Sequence, residues 1–251
     1  MVAVRDTTDD HSDQALRVRV LSRMVAASPH PGESGRTGVL NRLCRSVVAD
    51  LAVTGAAVNV VAGPLRAQAV VGRSDEHSAA VDDLELVLGD GPRHDAARTG
   101  RAVHSSDLAN EARWPQYCRA AQELDIGAVY AFPLQVGAVV LGVLDVHDSR
   151  SRVLDDGATA LALAYADIAT ESLLQGNGAD AGFIDPGLRT ALGSHAQIYQ
   201  AQGMIQVDHD VPLLEAMVRL RAFAYGHRRA ITDVAREIVE GDLVLPSSTE
   251  A

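Results

Sequence analysis

Lysine is absent from this chain, and cysteine and aromatic residues are scarce. The 22 basic residues are all arginine and stand against 33 Asp and Glu, which leaves a formal net charge of −11 at pH 7. A chain this acidic gives no bulk signal for nucleic-acid binding, so such a role must rest on a local basic patch. Its two cysteines, Cys44 and Cys118, do not make a disulfide scaffold and favour a reducing compartment.

Long apolar runs are also missing. No stretch approaches the ~18 apolar residues that indicate a membrane span, and the first residues lack the apolar segment of a signal peptide. We therefore expect a cytoplasmic protein with no membrane partner. At 47% hydrophobic and 22% charged residues the chain can bury real cores, and a length of 251 residues suggests two domains.

The last quarter of the chain has the periodicity of three amphipathic helices. Their apolar stripes run over 188–205, 213–223 and 231–239. Pro212 suits the first turn of the second helix, Thr232 can cap the third helix, and Gly241 can end it. None of these helices can bury its stripe alone, so we predict a compact three-helix domain over 187–245.

Short motifs recur across these helices with a definite spacing. They are Gln200-Ala201-Gln202-Gly203-Met204-Ile205, Glu215-Ala216, Leu220-Arg221 with Ala224, and Ile231 with Asp233-Val234-Ala235. Together they resemble the ANTAR domain, a helical RNA-binding module of bacterial antitermination regulators. The resemblance implies binding of hairpin loops in nascent RNA. The chain departs from the family pattern at several places: the family usually has Lys at Gln202, and it often has Arg at His195, Asn at Arg228, a basic residue at Ala230 and Arg at Thr232.

Residues suited to RNA contact cluster at the end of the second helix and in the turn after it. Arginine can bond phosphate and stack on a base, tyrosine can stack, and glutamine can bond a base edge. The predicted RNA contacts are Gln202, Arg219, Arg221, Tyr225, Arg228 and Arg229. Residues 187–245 hold six Arg against seven Asp or Glu. The alternative reading is therefore a solvated helix end whose arginines complement the helix dipole.

Residues 37–175 mix helical and strand periodicities. Strands are predicted at 56–62, 66–71, 101–105, 128–136 and 139–147, and helices at 39–51, 74–88, 114–124 and 156–174. Hairpins rather than regular βαβ units favour an α+β domain around an antiparallel sheet. A tail and helix (1–36) precede this domain, a linker (176–186) follows it, and a tail (246–251) ends the chain. We interpret 156–174 as a dimer or signalling helix, with packing on its own sheet alone as the alternative.

A second set of motifs lies between Val39 and Leu174. In order they are Gly89-Asp90-Gly91-Pro92 with Asp95-Ala96, Ser106-Asp107-Leu108, Arg113-Trp114-Pro115, Phe132-Pro133-Leu134 and Leu141-Gly142-Val143-Leu144. Their order and spacing resemble the GAF sensory domain, in the actinobacterial form that precedes ANTAR modules. The resemblance implies a GAF-like sheet domain that senses a ligand or a partner and controls the RNA-binding module.

The same resemblance implies a small-molecule pocket between the sheet and the helices over it. Its predicted lining residues are Val58, Val60, Arg93, His94, His104, Trp114, Tyr117, Phe132 and His147. Arg93 stands where the family commonly has Cys, and a cation there favours an anionic ligand. The alternative for Arg93 is a surface residue paired with an acid, and the alternative for Trp114 and Tyr117 is plain packing.

The sequence therefore predicts a homodimeric, RNA-binding transcription antitermination regulator whose GAF-like domain binds an unidentified small molecule. The alternative is a dimerisation or protein-docking module that no longer binds RNA. No hydrolase elbow, phosphate loop or metal-ligand motif occurs, so we expect no enzyme, cofactor or metal site. A third reading is an enzyme that uses Cys118 or the histidines, and Cys118 beside Arg119 is also a candidate redox sensor. The acids Asp82, Asp83 and Glu85 are read as a solvated helix face.

Overall fold

The fold is that of a computed structural model. It describes residues 7–27, 30, 33, 35–62, 67–175 and 186–246. The predicted linker over 176–186 and the predicted tail over 246–251 lie outside the described residues except for 186 and 246, and residues 1–6 of the predicted N-terminal tail lie outside them as well. Within the described ranges no helix is long and apolar enough to cross a membrane.

Five strands form one antiparallel sheet in the N-terminal domain, as predicted. They are β1 (Gly55–Ala62), β2 (Ala67–Arg73), β3 (Val103–Ser105), β4 (Ala128–Val136) and β5 (Val139–Asp148). Their order is β2-β1-β5-β4-β3, and every neighbouring pair is antiparallel. β4 and β5 form the hairpin that the sequence predicts most clearly, turned at Gly137 with a φ of 58°.

Helices cover both faces of this sheet. They are α1 (Thr7–Ala26), α2 (Gly35–Leu51), α3 (Glu76–Leu88), α4 (Pro92–Thr99), α5 (Pro115–Glu123) and α6 (Asp156–Leu174). The main apolar core joins one sheet face to α1, α2 and α6. Because successive strand residues point to opposite faces, Val58 belongs to this core while its neighbour Asn59 faces α3. The other face lies under α3, α4 and α5.

The sequence missed one helix and left two readings open for another. α4 was missed, because its sequence PRHDAART has no apolar stripe; it begins at Pro92, where the absent N–H costs nothing. α6 was read as a dimer or signalling helix, with packing on its own sheet as the alternative. Its residues Leu161, Tyr165 and Ile168 are buried in the core of their own domain, as the alternative expects, while Leu163 and Leu174 remain exposed.

The C-terminal domain is the predicted bundle of three helices, α7 (Pro186–His209), α8 (Leu213–Gly226) and α9 (Ile231–Glu240). Its apolar stripes meet in one core. Gly241 ends α9 with a φ of 83°, as predicted. The expected cap at Thr232 is wrong, because α9 begins after Ala230 without a side-chain cap, and Pro212 precedes α8 instead of opening it.

The bundle packs against the N-terminal domain through α3. Leu86 is 8% exposed and belongs to the apolar core of the bundle, and Val87 packs against the same core. α8 and α9 contact α3, while α7 contacts α2 and β2. Since α3 touches the sheet with its other side, it links the two domains at one place, and α7 links them at another through α2 and β2.

Candidate functional sites

The outer edge of α8 carries several of the residues predicted to bind RNA. Leu214, Val218, Arg221 and Tyr225 recur at i, i+4, i+7 and i+11, so they share one stripe of the helix. Leu214 is 77% exposed, Val218 55% and Tyr225 54%. We call this stripe, together with Arg228 in the following turn, the α8 edge. It presents a ring that can stack, two apolar side chains and two arginines.

Arg228 is the most accessible cation of the α8 edge. It is exposed, and no ion-pair or hydrogen-bond partner for its guanidinium occurs among the described residues. Two other predicted contacts are paired: Arg219 Nη2 donates to Glu215 Oε1 at 2.6 Å, and Arg229 Nη2 donates to Glu237 Oε1 at 2.5 Å. Surface pairs of this kind contribute at most about 1 kcal/mol, so an RNA phosphate can compete for either arginine.

Gln202 faces the interior and not the solvent. Gln202 is 6% exposed, and its Nε2 donates to the carbonyl oxygen of Leu213 at 2.7 Å. This bond joins α7 to the first turn of α8. The structure therefore corrects the prediction of a direct base contact: in this arrangement Gln202 holds two helices together.

Arg221 points from the α8 edge toward the N-terminal domain. Its Nε donates to the carbonyl oxygen of Leu86 at 3.0 Å, and a Cβ placed on Gly89 would lie 2.2 Å from its Nη1. Burial lowers the pKa of Arg221, and no described carboxylate pairs with it. With Gln202 it lines a cleft of about 740 Å³ between α3–α4 and α7–α8.

A second candidate site lies inside the N-terminal domain, under α3, α4 and α5. We call Asp82, Glu85, Arg93 and Asp145 the buried charge centre. Arg93 Nη1 donates to Asp82 Oδ1 at 2.9 Å and lies 3.6 Å from Asp145 Oδ2. The backbone N–H of Arg93 donates to Glu85 Oε1 at 3.2 Å. Asn59 Nδ2 joins the strands to this centre by donating to Asp82 Oδ1 at 3.1 Å and to Asp145 Oδ2 at 2.7 Å.

Two carboxylates, of Asp82 and Asp145, lie at the Arg93 guanidinium, and Glu85 bonds the backbone N–H of Arg93, so acids outnumber arginines in the buried charge centre. Burial raises the pKa of Asp82 to about 6, against the opposing effect of Arg93. Burial also raises the pKa of Asp145 well above its usual range. Asp82 Oδ2 and Arg93 Nε have no hydrogen-bond partner among the described residues. The centre is therefore suited to holding a proton at neutral or mildly acidic pH.

The space beside the buried charge centre is small. The cavity there measures about 20 Å³, room for about one water molecule. Arg93 is 2% exposed and its charge is taken up by acids. Both readings of Arg93 from the sequence are therefore corrected, because it neither lies on the surface nor offers a free charge to an anionic ligand.

The nine residues predicted to line one pocket do not come together. Val58, Val60 and Phe132 lie on the opposite sheet face, in or against the core formed with α1, α2 and α6. His104 is exposed on the outer strand β3, with its ring 6.3 Å from that of Tyr130. The prediction that these four share a pocket with Arg93 is wrong, since strand residues alternate between faces.

The remaining predicted residues lie on the side of the buried charge centre. Tyr117 and His147 line the small cavity, and His94 Nδ1 lies 3.2 Å from Glu85 Oε2. Trp114 and Tyr117 are each 2% exposed and pack edge to face, which favours packing over ligand stacking. Burial lowers the pKa of His147 to about 4, so this ring is neutral at physiological pH.

Comparison with known protein families agrees with both sets of motifs. A model described as the GAF domain matches residues 33–173, more than half of the chain, and one described as the ANTAR domain matches residues 187–239. The chain belongs to the GAF domain family and carries an ANTAR domain. Both domains are regulatory modules.

Solved structures similar to the GAF domain include two from bacteria. One is the GAF domain of an Acinetobacter phosphoenolpyruvate-protein phosphotransferase, at 9% identity and a TM-score of 0.49, covering 66% of this chain and 95% of that one. Another is the GAF domain of a phosphoenolpyruvate-protein phosphotransferase from Coxiella burnetii, at 10% identity and a TM-score of 0.49, covering 67% and 96%. Among the curated proteins, none matches the chain.

The central residues of the GAF interior were missed in the sequence. Asp82 and Glu85 were read as a solvated face, yet they are 5% and 4% exposed. A usable signal was present in the strands: Asn59 and Asp145 are polar residues inside apolar runs, at positions that face α3. Buried polar strand residues require partners, and acids on a neighbouring helix can supply them.

The thiol of Cys118 does not have the environment of a reactive cysteine. It is 4% exposed, and burial raises its pKa. A reactive thiol needs a lowered pKa and access to solvent. The structure thus gives no support to the reading of Cys118 as a redox sensor in the GAF domain.

Proposed function

We propose that this protein is an RNA-binding transcription antitermination regulator whose GAF domain controls its ANTAR domain. The observation that carries the proposal is the α8 edge, where exposed Tyr225 lies on one stripe with Arg221 and unpaired Arg228 follows in the next turn. A ring for stacking beside arginines for phosphate is the combination that unpaired RNA loops require. The net charge of −11 does not argue against RNA binding, because the basic patch is local.

In this proposal the protein acts in the cytoplasm as a homodimer and has no catalytic role of its own. Two ANTAR domains hold two hairpin loops of one nascent transcript and so prevent termination. Binding of a small molecule to the GAF domain changes the fraction of molecules in which the two α8 edges are accessible.

A direct binding titration tests the function. Full-length protein is titrated against a tandem-hairpin RNA by fluorescence anisotropy at increasing salt. We expect the logarithm of the binding constant to fall linearly with the logarithm of salt concentration, because phosphate contacts release counterions. The double variant Arg221→Ala/Arg228→Ala should bind more weakly and with a shallower slope. Arg119→Ala, which removes an exposed arginine of the GAF domain, is the matched control.

A second candidate function is a protein-docking module without RNA binding. The observation that favours it is the exposure of Leu214 and Val218 on the α8 edge, because apolar side chains suit a protein partner better than phosphate. No RNA binding at low salt, either by the full-length protein or by full-length variants in which the contact between α8 and the GAF domain is disrupted, would select this function over the first.

A further inference from the structure

The α8 edge meets the GAF domain at α3 and the turn after it. Arg221 bonds the carbonyl oxygen of Leu86, and its guanidinium lies against Gly89, which ends α3 with a φ of 71°. Leu86 enters the core of the ANTAR domain. The GAF domain therefore covers one of the two arginines of the α8 edge and leaves the other, Arg228, in solvent.

This contact leaves the charge of Arg221 uncompensated. A desolvated guanidinium usually pairs with a carboxylate, whereas Arg221 bonds one backbone carbonyl, has the ring of Tyr199 nearby and pairs with no acid among the described residues. A phosphate oxygen would bond the same group with a full opposite charge, and charge-assisted bonds are about twice as strong as neutral ones. RNA therefore has an electrostatic advantage over the Leu86 carbonyl for this arginine.

The packing between the domains at this place is incomplete. The cleft of about 740 Å³ opens directly beside the Arg221 contact, between α3–α4 and α7–α8. Leu86 and Val87 are the apolar GAF residues that reach the ANTAR core. The part of the interface formed by α3 and α8 has few apolar contacts and a large cleft, so it is expected to open at modest cost while α7 keeps its contacts with α2 and β2.

From these observations we infer that the end of α3 is an internal docking surface that competes with RNA for the α8 edge. In the closed arrangement seen here Leu86 and Gly89 hold Arg221, and RNA binding requires the two domains to separate at this contact. The inference rests on the proposed function and adds its mode of control. A signal that moves α3, whose inner side carries Asp82 and Glu85, would act directly on this contact.

Two glycines in the GAF domain provide a matched test. Gly89 and Gly137 both have positive φ, 71° and 58°, which asparagine tolerates better than most residues. A Cβ at Gly89 meets Arg221, whereas a Cβ at Gly137 meets nothing within 4 Å. Gly89→Asn therefore displaces the guanidinium, and Gly137→Asn controls for the substitution itself. Leu86→Gln is a second, uncharged variant that weakens the apolar part of the contact.

The full-length proteins are titrated against tandem-hairpin RNA, with circular dichroism to verify folding and small-angle scattering to detect opening. We expect Gly89→Asn and Leu86→Gln to bind RNA about tenfold more tightly than wild type. This is the gain expected if about 90% of wild-type molecules are closed and the variants are open, because only open molecules bind RNA. Gly137→Asn should match wild type. Equal or weaker binding by the folded variants overturns the inference and leaves the proposed function standing. Absence of RNA binding in all four proteins overturns both.

Discussion

At the scale of residues, the GAF interior is organised by charge and not by an apolar ligand pocket. The Arg93 guanidinium donates to Asp82 and lies close to Asp145, and the Arg93 backbone N–H donates to Glu85. Burying this many carboxylates around one cation is costly unless one of them is protonated. The consequence is a group that titrates close to physiological pH inside a sensory domain.

This arrangement predicts a specific dependence of stability on pH. The pKa of Asp82 is about 6 in the folded state against an ordinary value of 3.8, so the folded state binds the proton more tightly. The stabilisation is complete below about pH 4 and is lost as the pH rises through about 6. We expect the free energy of unfolding of wild type, relative to Asp82→Asn, to increase from pH 7 to pH 5 by at most about 1.4 kcal/mol per pH unit.

Chemical denaturation at several pH values measures this difference. His147 works in the opposite direction, because its lowered pKa of about 4 makes acid destabilising below pH 6.5. Both proteins keep His147, so its effect largely cancels in the comparison. Asp90→Asn, an exposed acid in the turn after α3, is the control. A difference that stays flat between pH 7 and pH 5 would rule out Asp82 as the titrating group.

Residue-level predictions from the sequence succeeded where a side chain acts alone and failed where it depends on a partner. Exposure of Tyr225 and Arg228 follows from their place at a helix end. The burial of Arg93 depends on Asp145, which lies 52 positions later in the chain and reaches it only through the sheet. Gln202 likewise bonds a backbone oxygen that appears only when α7 and α8 pack together.

At the scale of elements, periodicity predicted the helices and strands that bury a stripe or a face. α9 and the β4–β5 hairpin are the clearest cases, because each has a regular apolar pattern and a glycine at its end. α4 could not be predicted in this way, since tertiary contacts and Pro92 define it. The sequence also did not show that α3 contacts both domains. Leu86 and Glu85 are adjacent in the chain, yet Leu86 packs in the ANTAR core and Glu85 belongs to the buried charge centre.

A substitution in the connection between α8 and α9 can test RNA binding without affecting folding. Arg228 has a φ of 51°, a conformation in which most side chains are mildly strained and asparagine is comparatively favourable. We expect Arg228→Asn to keep the stability of wild type, or to raise it by a few tenths of a kcal/mol, while RNA affinity falls and the salt slope drops by about 1. Thermal unfolding and anisotropy on the same samples measure both quantities.

Arg119→Asn serves as the control for that experiment, because it removes an exposed arginine from α5. Unchanged RNA affinity in Arg228→Asn would remove this residue from the interface. A loss of stability would instead show that the Arg228 side chain holds the α8–α9 connection, and the change in affinity would then have a structural cause.

At the scale of the whole molecule, the more exposed apolar stripe suited to a second copy is on α1. Most of the apolar side of α6 packs on its own domain, and only Leu163 and Leu174 among its described large apolar residues are exposed, at 45% and 40%. Val18, Leu21 and Val25 recur at i, i+3 and i+7 on α1 and are 58%, 43% and 87% exposed. An exposed apolar stripe of this kind on a helix is typical of a helix–helix interface between subunits.

We therefore expect Leu21→Glu/Val25→Glu to convert a dimer into a monomer. Light scattering after size-exclusion chromatography should give about twice the chain mass of 26.5 kDa for wild type and a single chain mass for the variant. Each ANTAR domain would keep its α8 edge, so the variant should bind one hairpin normally and lose the added affinity for tandem hairpins. A monomeric wild type, or a variant that stays dimeric, would contradict the assignment of α1 and with it the explanation of how two loops are held at once.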